Sequence, residues 1–143
     1  MNTRFHGIMS LGLTFVALVI AAVAMFLSSW GLGVAYVAIC IIASQALLYA
    51  FCAKCPCKEC CGHVLPGKVA MNFNRQPGAY SPLELGILCL SLLLLFGLPQ
   101  FWLWQYPKLL VAFWGLSAIA FFQIRFVVCQ ACTNAYCPLK GKN

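Results

Sequence analysis

The sequence predicts an all-α integral membrane protein with four transmembrane helices arranged as two hairpins. Apolar residues make up 64% of the 143 residues and charged residues only 8%, against about 25% charged in soluble domains. Four apolar stretches each come near the roughly 20 residues of helix that cross a bilayer core. Backbone groups in lipid must be hydrogen-bonded within their own segment, so these stretches are predicted as helices rather than open strands.

The helices are predicted at about residues 8–27, 31–51, 83–104 and 107–128 of a single membrane domain covering 1–143. The first stretch, IMSLGLTFVALVIAAVAMFL, is longer than the roughly 7–15 apolar residues of a signal peptide, which predicts a membrane anchor. The connections SSWG and PQFWLWQYPK are short and make each helix pair a hairpin. A cysteine-rich loop, 52–82, joins the hairpins, and a cysteine-rich tail, 129–143, follows them.

The basic residues predict the orientation of the helices. Only Lys108 falls on the side of the two hairpin turns, where Trp30, Trp102, Trp104 and Tyr106 form an aromatic belt. The other eight lie on the side of the loop and both termini: Arg4, Lys54, Lys58, Lys68, Arg75, Arg125, Lys140 and Lys142. Lys and Arg in short loops stay in the cytoplasm. We therefore expect an inner (cytoplasmic) membrane protein with cytoplasmic termini and loop, whose +7 charge faces lipid headgroups rather than nucleic acid.

Eight of the ten cysteines fall at this cytoplasmic surface, in two groups with one spacing. Each group contains the pattern C-x2-C-x4-C, and each pattern begins where the second helix of a hairpin is predicted to leave the membrane. The six residues of the two patterns are Cys52, Cys55, Cys60, Cys129, Cys132 and Cys137. Cys40 and Cys89 lie within helices, where single thiols are ordinary apolar residues.

This pattern predicts a site for a soft metal. Structural disulfides are rare in the reducing cytosol, whereas Lys54 and Lys58 next to the thiols favour the thiolate that binds metal. Two C-x2-C pairs complete a tetrahedral zinc site, so one ion shared by Cys52/Cys55 and Cys129/Cys132 is one arrangement. Two sites are the other, each triplet then taking a fourth ligand, for which Cys57, Cys61 and His63 are the additional candidates.

Zinc is the favoured metal and an iron–sulfur cluster the alternative. Clusters also take about four thiolates, and a proline often follows one of these cysteines. Cys55-Pro56 and Cys137-Pro138 match that pattern. Neither triplet has the C-x2-C-x2-C run of ferredoxins. Haem is not expected, because the only histidines, His6 and His63, are predicted to lie outside the helices.

A third interpretation comes from a resemblance. The chain resembles the small membrane carriers of mercury resistance in size, in helix number and in its paired cysteines, among them the vicinal Cys60 and Cys61. The resemblance implies transport of a soft metal across the membrane. A carrier would need thiols along its path, and only Cys40 and Cys89 lie near mid-membrane, with none on the far face.

No nucleophile has an adjacent base, and the two carboxylates, Glu59 and Glu84, form no acid–base pair. We therefore predict no independent enzyme. We expect a small accessory or structural subunit of a larger membrane complex, whose metal site joins the two hairpins and whose partners are lipid and other membrane subunits. Gln45 and Gln123, inside helices, are predicted to form interhelical hydrogen bonds.

Overall fold

A computed structural model describes residues 3–55 and 63–130. Within those ranges all regular structure is helical, and no strand occurs. The α-helices are α1 (Thr3–Ser28), α2 (Trp30–Ala50), α3 (Val64–Met71), α4 (Pro82–Leu92), α5 (Gln100–Leu103) and α6 (Pro107–Gln123). Three short turns of other helix types follow them: a 3₁₀ turn at Cys52–Lys54 after α2, and π-helical turns at Leu93–Gly97 after α4 and Ile124–Val128 after α6.

Four segments are long and apolar enough to cross a membrane, which confirms the all-helical class and the number of membrane helices. We call them spans 1 to 4: Thr3–Ser28, Trp30–Lys54, Pro82–Leu103 and Pro107–Val128. Spans 2 to 4 begin within one residue of their predicted starts. Span 1 begins at Thr3 rather than at residue 8, so His6 lies in its first turns and not outside the helix.

Span 1 is the central helix of the bundle. It packs most extensively against α6 and then against α2, whereas α4 packs against α2. The second hairpin is therefore open: away from their connecting turn, α4 and α6 lie against different partners. Small side chains make the close packing of spans 1 and 2 possible, because the buried face of α1 carries Gly7, Ser10, Ala17, Ala21 and Ala24, and that of α2 carries Gly33, Ala43 and Ala50.

The best-packed part of the protein lies toward the two hairpin turns. Its fully buried residues come from the second half of span 1, the first half of span 2, the end of span 3 and the start of span 4: Ala17, Ala21, Ala24, Met25, Tyr36, Leu103 and Phe113. Close to the turns the rings of Phe96 and Phe113 meet with centroids 5.9 Å apart. All four spans therefore contribute to one core at the end of the bundle opposite the cysteines.

A buried hydroxyl compensates for a backbone hydrogen bond that is missing in span 3. Pro99 has no N–H for the Leu95 carbonyl four residues earlier, so that carbonyl lacks its helical partner. Tyr36, fully buried, donates its hydroxyl to the Leu95 oxygen at 2.7 Å. Leu95 lies in the π-helical turn Leu93–Gly97, in which Leu98 N donates to Leu93 O at 3.0 Å. Spans 2 and 3 are thereby joined at the centre of the core.

The segment predicted as a surface loop between residues 52 and 82 contains a helix, α3, which packs against α1, α2 and the 3₁₀ turn. Two aromatic residues of this segment contact the end of span 2. The Phe73 ring meets Tyr49 edge-on at 5.6 Å, and the Tyr80 ring stacks on Phe51 at 4.8 Å. The segment is therefore held on the end of span 2 by aromatic contacts.

The two glutamines that were predicted to bond between helices make no such bond within the described part of this chain. Gln45 is exposed on the outward side of span 2. Gln123 is half-buried, and its side-chain oxygen has no hydrogen-bond partner among the described residues. Neither amide therefore joins two spans of this chain within that part of the structure.

Gly33 is required by a close approach across the first hairpin turn. A Cβ atom at Gly33 would overlap the ring of Phe26, whereas one at Gly12 would meet nothing within 4 Å. We expect Gly33→Ala to lower the free energy of unfolding by about 1–3 kcal/mol, as overpacking does. Thermal unfolding in detergent checks this, with Gly12→Ala as the matched control; equal stability of the two variants would contradict the prediction.

Removing the Tyr36 hydroxyl should leave the Leu95 carbonyl buried without a partner. We expect Tyr36→Phe to lower stability by about 1–3 kcal/mol, the cost of one unsatisfied buried polar group. Tyr49→Phe is the control, since the Tyr49 hydroxyl makes no hydrogen bond to described residues while its ring contacts remain. The fraction of protein that survives heating on size-exclusion chromatography gives the readout, and unchanged survival of Tyr36→Phe would refute the role.

Candidate functional site

The candidate site lies at the end of the bundle where spans 2 and 4 end and span 1 begins. Four of the predicted ligands are described there: Cys52, Cys55, His63 and Cys129. The other five lie outside the described residues: Cys57, Cys60, Cys61, Cys132 and Cys137. The structure therefore shows these four predicted ligands and the residues that hold them in place.

Cys52 and Cys55 occupy a single 3₁₀ turn directly after α2. The Cys55 N–H donates to the Cys52 carbonyl at 3.2 Å, closing the turn. Cys55 caps the turn with an extended backbone, and both cysteines are half-buried. The closed turn keeps the two residues close together along the chain, as a C-x2-C pair that binds one ion requires.

A buried carboxylate fixes this turn to span 3. Glu84 is only 6% exposed and receives Lys54 Nζ at 2.8 Å on one oxygen and Arg75 Nη2 at 2.8 Å on the other. The same carboxylate accepts from Ser81 N at 2.7 Å, while the Ser81 hydroxyl accepts from Glu84 N at 3.3 Å. This reciprocal pair is a capping box at the start of α4. We call these four residues the Glu84 cluster.

Lys54 makes a contact that its sequence neighbours do not indicate. We expected its charge to favour the thiolates of the neighbouring cysteines, and that effect stays a prediction. Its ammonium forms an ion pair with Glu84. The side chain between the two cysteines thus fastens the turn to span 3.

Arg75 connects the Glu84 cluster to the end of span 2. Its guanidinium lies 4.6 Å from the centre of the Tyr49 ring, and its Nη1 donates to the Tyr49 carbonyl at 3.2 Å. The stacked rings of Phe51 and Tyr80 join the same two segments of the chain, because Phe51 follows Tyr49 by two residues and Tyr80 follows Arg75 by five. Charge, cation–π and aromatic contacts together hold the turn Cys52–Cys55 at the start of span 3.

His63 lies against span 1 rather than in solvent. Its ring Nε2 is 3.2 Å from Ser10 Oγ, and Ser10 is fully buried. Because the Ser10 hydroxyl donates its proton to the Gly7 carbonyl at 3.0 Å, the ring nitrogen is the donor in this pair. Burial lowers the pKa of His63. The neutral ring then keeps a lone pair on Nδ1, the arrangement in which metal-binding histidines are commonly oriented.

Cys129 follows the π-helical turn at the end of span 4. Its N–H donates to the Ile124 carbonyl at 2.7 Å, the last bond of that turn. The turn packs against α1, and because spans 1 and 4 run antiparallel, the contact is with the first turns of α1. A π turn carries one extra residue, so it rotates Cys129 relative to its position on an uninterrupted α-helix.

The described ligands do not gather at one point. Among residues 3–55 and 63–130, no three His, Cys, Asp or Glu side chains lie close enough together to hold a metal ion. His63 and the turn before Cys129 contact span 1, whereas the Cys52–Cys55 turn packs against α2 and α3. A complete site thus needs ligands from the residues outside these ranges, and its composition stays a prediction.

The two thiols within the spans face different surroundings. Cys40 is half-buried and packs against the core. Cys89 is exposed on the outward side of span 3. A path through the bundle that uses both thiols, as the carrier interpretation requires, is therefore not lined by Cys89.

Comparisons with known proteins give no relative. No family model, no curated protein and no solved structure matches this chain.

Neutralising Glu84 tests whether the Glu84 cluster holds the cysteine turn. We expect Glu84→Gln to lower stability by roughly 3 kcal/mol, because it leaves two cations without their shared partner, and to expose Arg75 to faster trypsin cleavage. Glu59→Gln makes the same change in net charge and serves as control. An unchanged rate of cleavage at Arg75 would show that the cluster does not hold the loop.

Proposed function

We propose that this protein is a small structural subunit of a larger membrane assembly and holds a soft metal ion, with zinc favoured, at the cysteine-bearing end of its helices. The ion would fasten the chain segments after spans 2 and 4 to one another and to the start of span 1. The proposal places this end in the cytoplasm and assigns no catalysis to the chain.

The observation that carries the proposal is the turn Cys52–Cys55. Two half-buried cysteines, Cys52 and Cys55, stand at the two ends of this closed turn, and the Glu84 cluster holds the turn in place with two ion pairs of 2.8 Å. A backbone that is already fixed at both cysteines reduces the ordering that metal binding requires.

A metal staple would act at the end of the bundle that the main buried apolar cluster does not reach. Span 1 packs against span 2 and against the π-helical turn that ends span 4, and the buried cluster lies toward the opposite end. Binding of structural zinc is worth on the order of 10 kcal/mol in peptides. A site of that strength would hold the cysteine-bearing end together without a larger core.

Zinc is favoured because the ligands are thiolates and imidazole in a reducing compartment, the set that tetrahedral zinc prefers. The iron–sulfur alternative uses the same thiols and would make the subunit an electron carrier. The carrier alternative is the least favoured, since Cys89 faces outward.

Metal analysis of the purified full chain tests the proposal. After purification in detergent under reducing conditions, we expect at least one zinc per chain by elemental analysis. Cys52→Ser should lower the zinc content to less than half, because it breaks the preorganised pair. Cys89→Ser, on the outward face of span 3, should retain it.

Other results of this experiment have definite meanings. Iron in the purified protein, together with broad visible absorbance, would support the iron–sulfur alternative instead of the zinc site. Metal uptake into vesicles that is lost in Cys40→Ser or Cys89→Ser would support the carrier. A wild-type chain that binds no metal would refute the proposed site.

A further inference from the structure

The outward face of span 2 carries a polar side chain in the middle of the membrane. Six exposed residues, separated by alternating steps of four and three, follow one line along this face. We call them the outer stripe: Gly31, Ala35, Ala38, Ile42, Gln45 and Tyr49. The line lies opposite the buried face of the helix, which contains Gly33, Tyr36, Ala43 and Ala50.

The position of Gln45 along span 2 places it within hydrocarbon. Charged side chains are costly within hydrocarbon, so the ion pair of Lys54 with Glu84 at the end of span 2 is expected at the membrane surface. Gln45 lies nine residues earlier, a rise of about 13 Å along the helix, in a bilayer core of about 30 Å. A glutamine side chain is too short to cover that distance to the headgroups. Its amide thus faces lipid, where an unpaired polar group costs several kcal/mol.

No other outward face has this feature. Among the described residues in the central parts of spans 1, 3 and 4, the exposed side chains are apolar, for example Phe15, Val19, Leu90, Val111 and Ile119. Gln45 itself makes no hydrogen bond to a described residue. The outward amide therefore distinguishes the face of span 2 from the ordinary lipid-facing surface of the protein.

We infer that the outer stripe is the contact between two copies of this chain, packed in parallel about a two-fold axis normal to the membrane, with Gln45 opposite the same residue of the second copy. The inference supplies a partner for the assembly in the proposed function, and it can be tested without reference to the metal.

The second copy fits this face better than another protein does, for three reasons. Copies of one sequence insert with the same orientation, because the same Lys and Arg residues direct them, so a two-fold contact brings each residue of the stripe opposite itself. An amide offers both donor and acceptor and can thus pair with its own equivalent. The alternation of four and three is the spacing at which two helices keep one seam in contact.

The side chains along the stripe suit close approach. Gly31, Ala35 and Ala38 let two helix backbones come near each other on the side of the hairpin turns, as small residues do in membrane interfaces. At the other end Tyr49 is 49% exposed and carries Arg75 over its ring. The seam would therefore run from the first hairpin turn to the Glu84 cluster.

Energy transfer between labelled full-length chains in lipid vesicles tests the inference. Chains carrying donor or acceptor fluorescent proteins at the N-terminus are mixed and the ratio of chain to lipid is lowered. We expect wild-type dimers, and about tenfold weaker association in Gln45→Leu, since interhelical hydrogen bonds contribute at about this level. Ala35→Leu, which fills the small-residue part of the stripe, should weaken association at least as much.

Ala112→Leu, on the outward face of span 4, is the matched control and should associate like wild type. Thermal unfolding of each variant, at a ratio of chain to lipid too low for dimers, shows that it is folded; under that condition Gln45→Leu should be as stable as wild type, because its amide has no partner within the described chain. Monomeric wild type, or equal association of wild type and both stripe variants, would overturn the inference. So would dimers that disappear on addition of a zinc chelator, because the contact would then lie at the cysteines; zinc content measured in the same samples tests the proposed function separately.

Discussion

The buried carboxylate of Glu84 is the constraint on which the cysteine-bearing end depends. One side chain receives Lys54 from the end of span 2, Arg75 from the connecting segment and Ser81 from its own helix start. Because Glu84 is itself 6% exposed, its charge is acceptable only with the cations in place. The end of span 2, the start of span 3 and the Cys52–Cys55 turn are thus tied to one carboxylate, beside the aromatic contacts that join the same segments.

Hydropathy predicted the spans well because it reports the dominant requirement of a chain in lipid, which is to bond its backbone internally. The short helix Val64–Met71 and the π turn Leu93–Gly97 escaped that signal. The first is stabilised by packing against α1 and α2. The second accompanies Pro99 and the buried Tyr36 hydroxyl, a contact between residues 59 positions apart. Both depend on tertiary contacts that local periodicity does not contain.

The candidate site, too, contains some features that follow from local sequence and others that depend on contacts between distant residues. The pairing of Cys52 with Cys55 was predictable, since it follows from spacing within one turn. The contact of His63 with Ser10 joins residues 53 positions apart and could not be predicted from either. Lys54 was read from its sequence neighbours as a charge acting on thiols, whereas its partner, Glu84, is 30 positions away. The pattern S-P-L-E at residues 81–84 did contain a usable signal, because a serine three residues before a glutamate predicts a capping box and hence a fixed carboxylate.

The two ends of the bundle are stabilised by different physics, and this explains where the chain would need a metal and a partner. At the hairpin turns, Phe113, Leu103 and Met25 are fully buried and need nothing further. Toward the cysteines the second hairpin opens, and small buried residues such as Ala50, Ala53 and Ala70 lie beside ion pairs and a histidine contact. A second copy packed along span 2 would cover lipid-facing surface but would not close this open end. The metal and the partner would therefore stabilise different parts of the chain, so that loss of either should leave the contribution of the other intact.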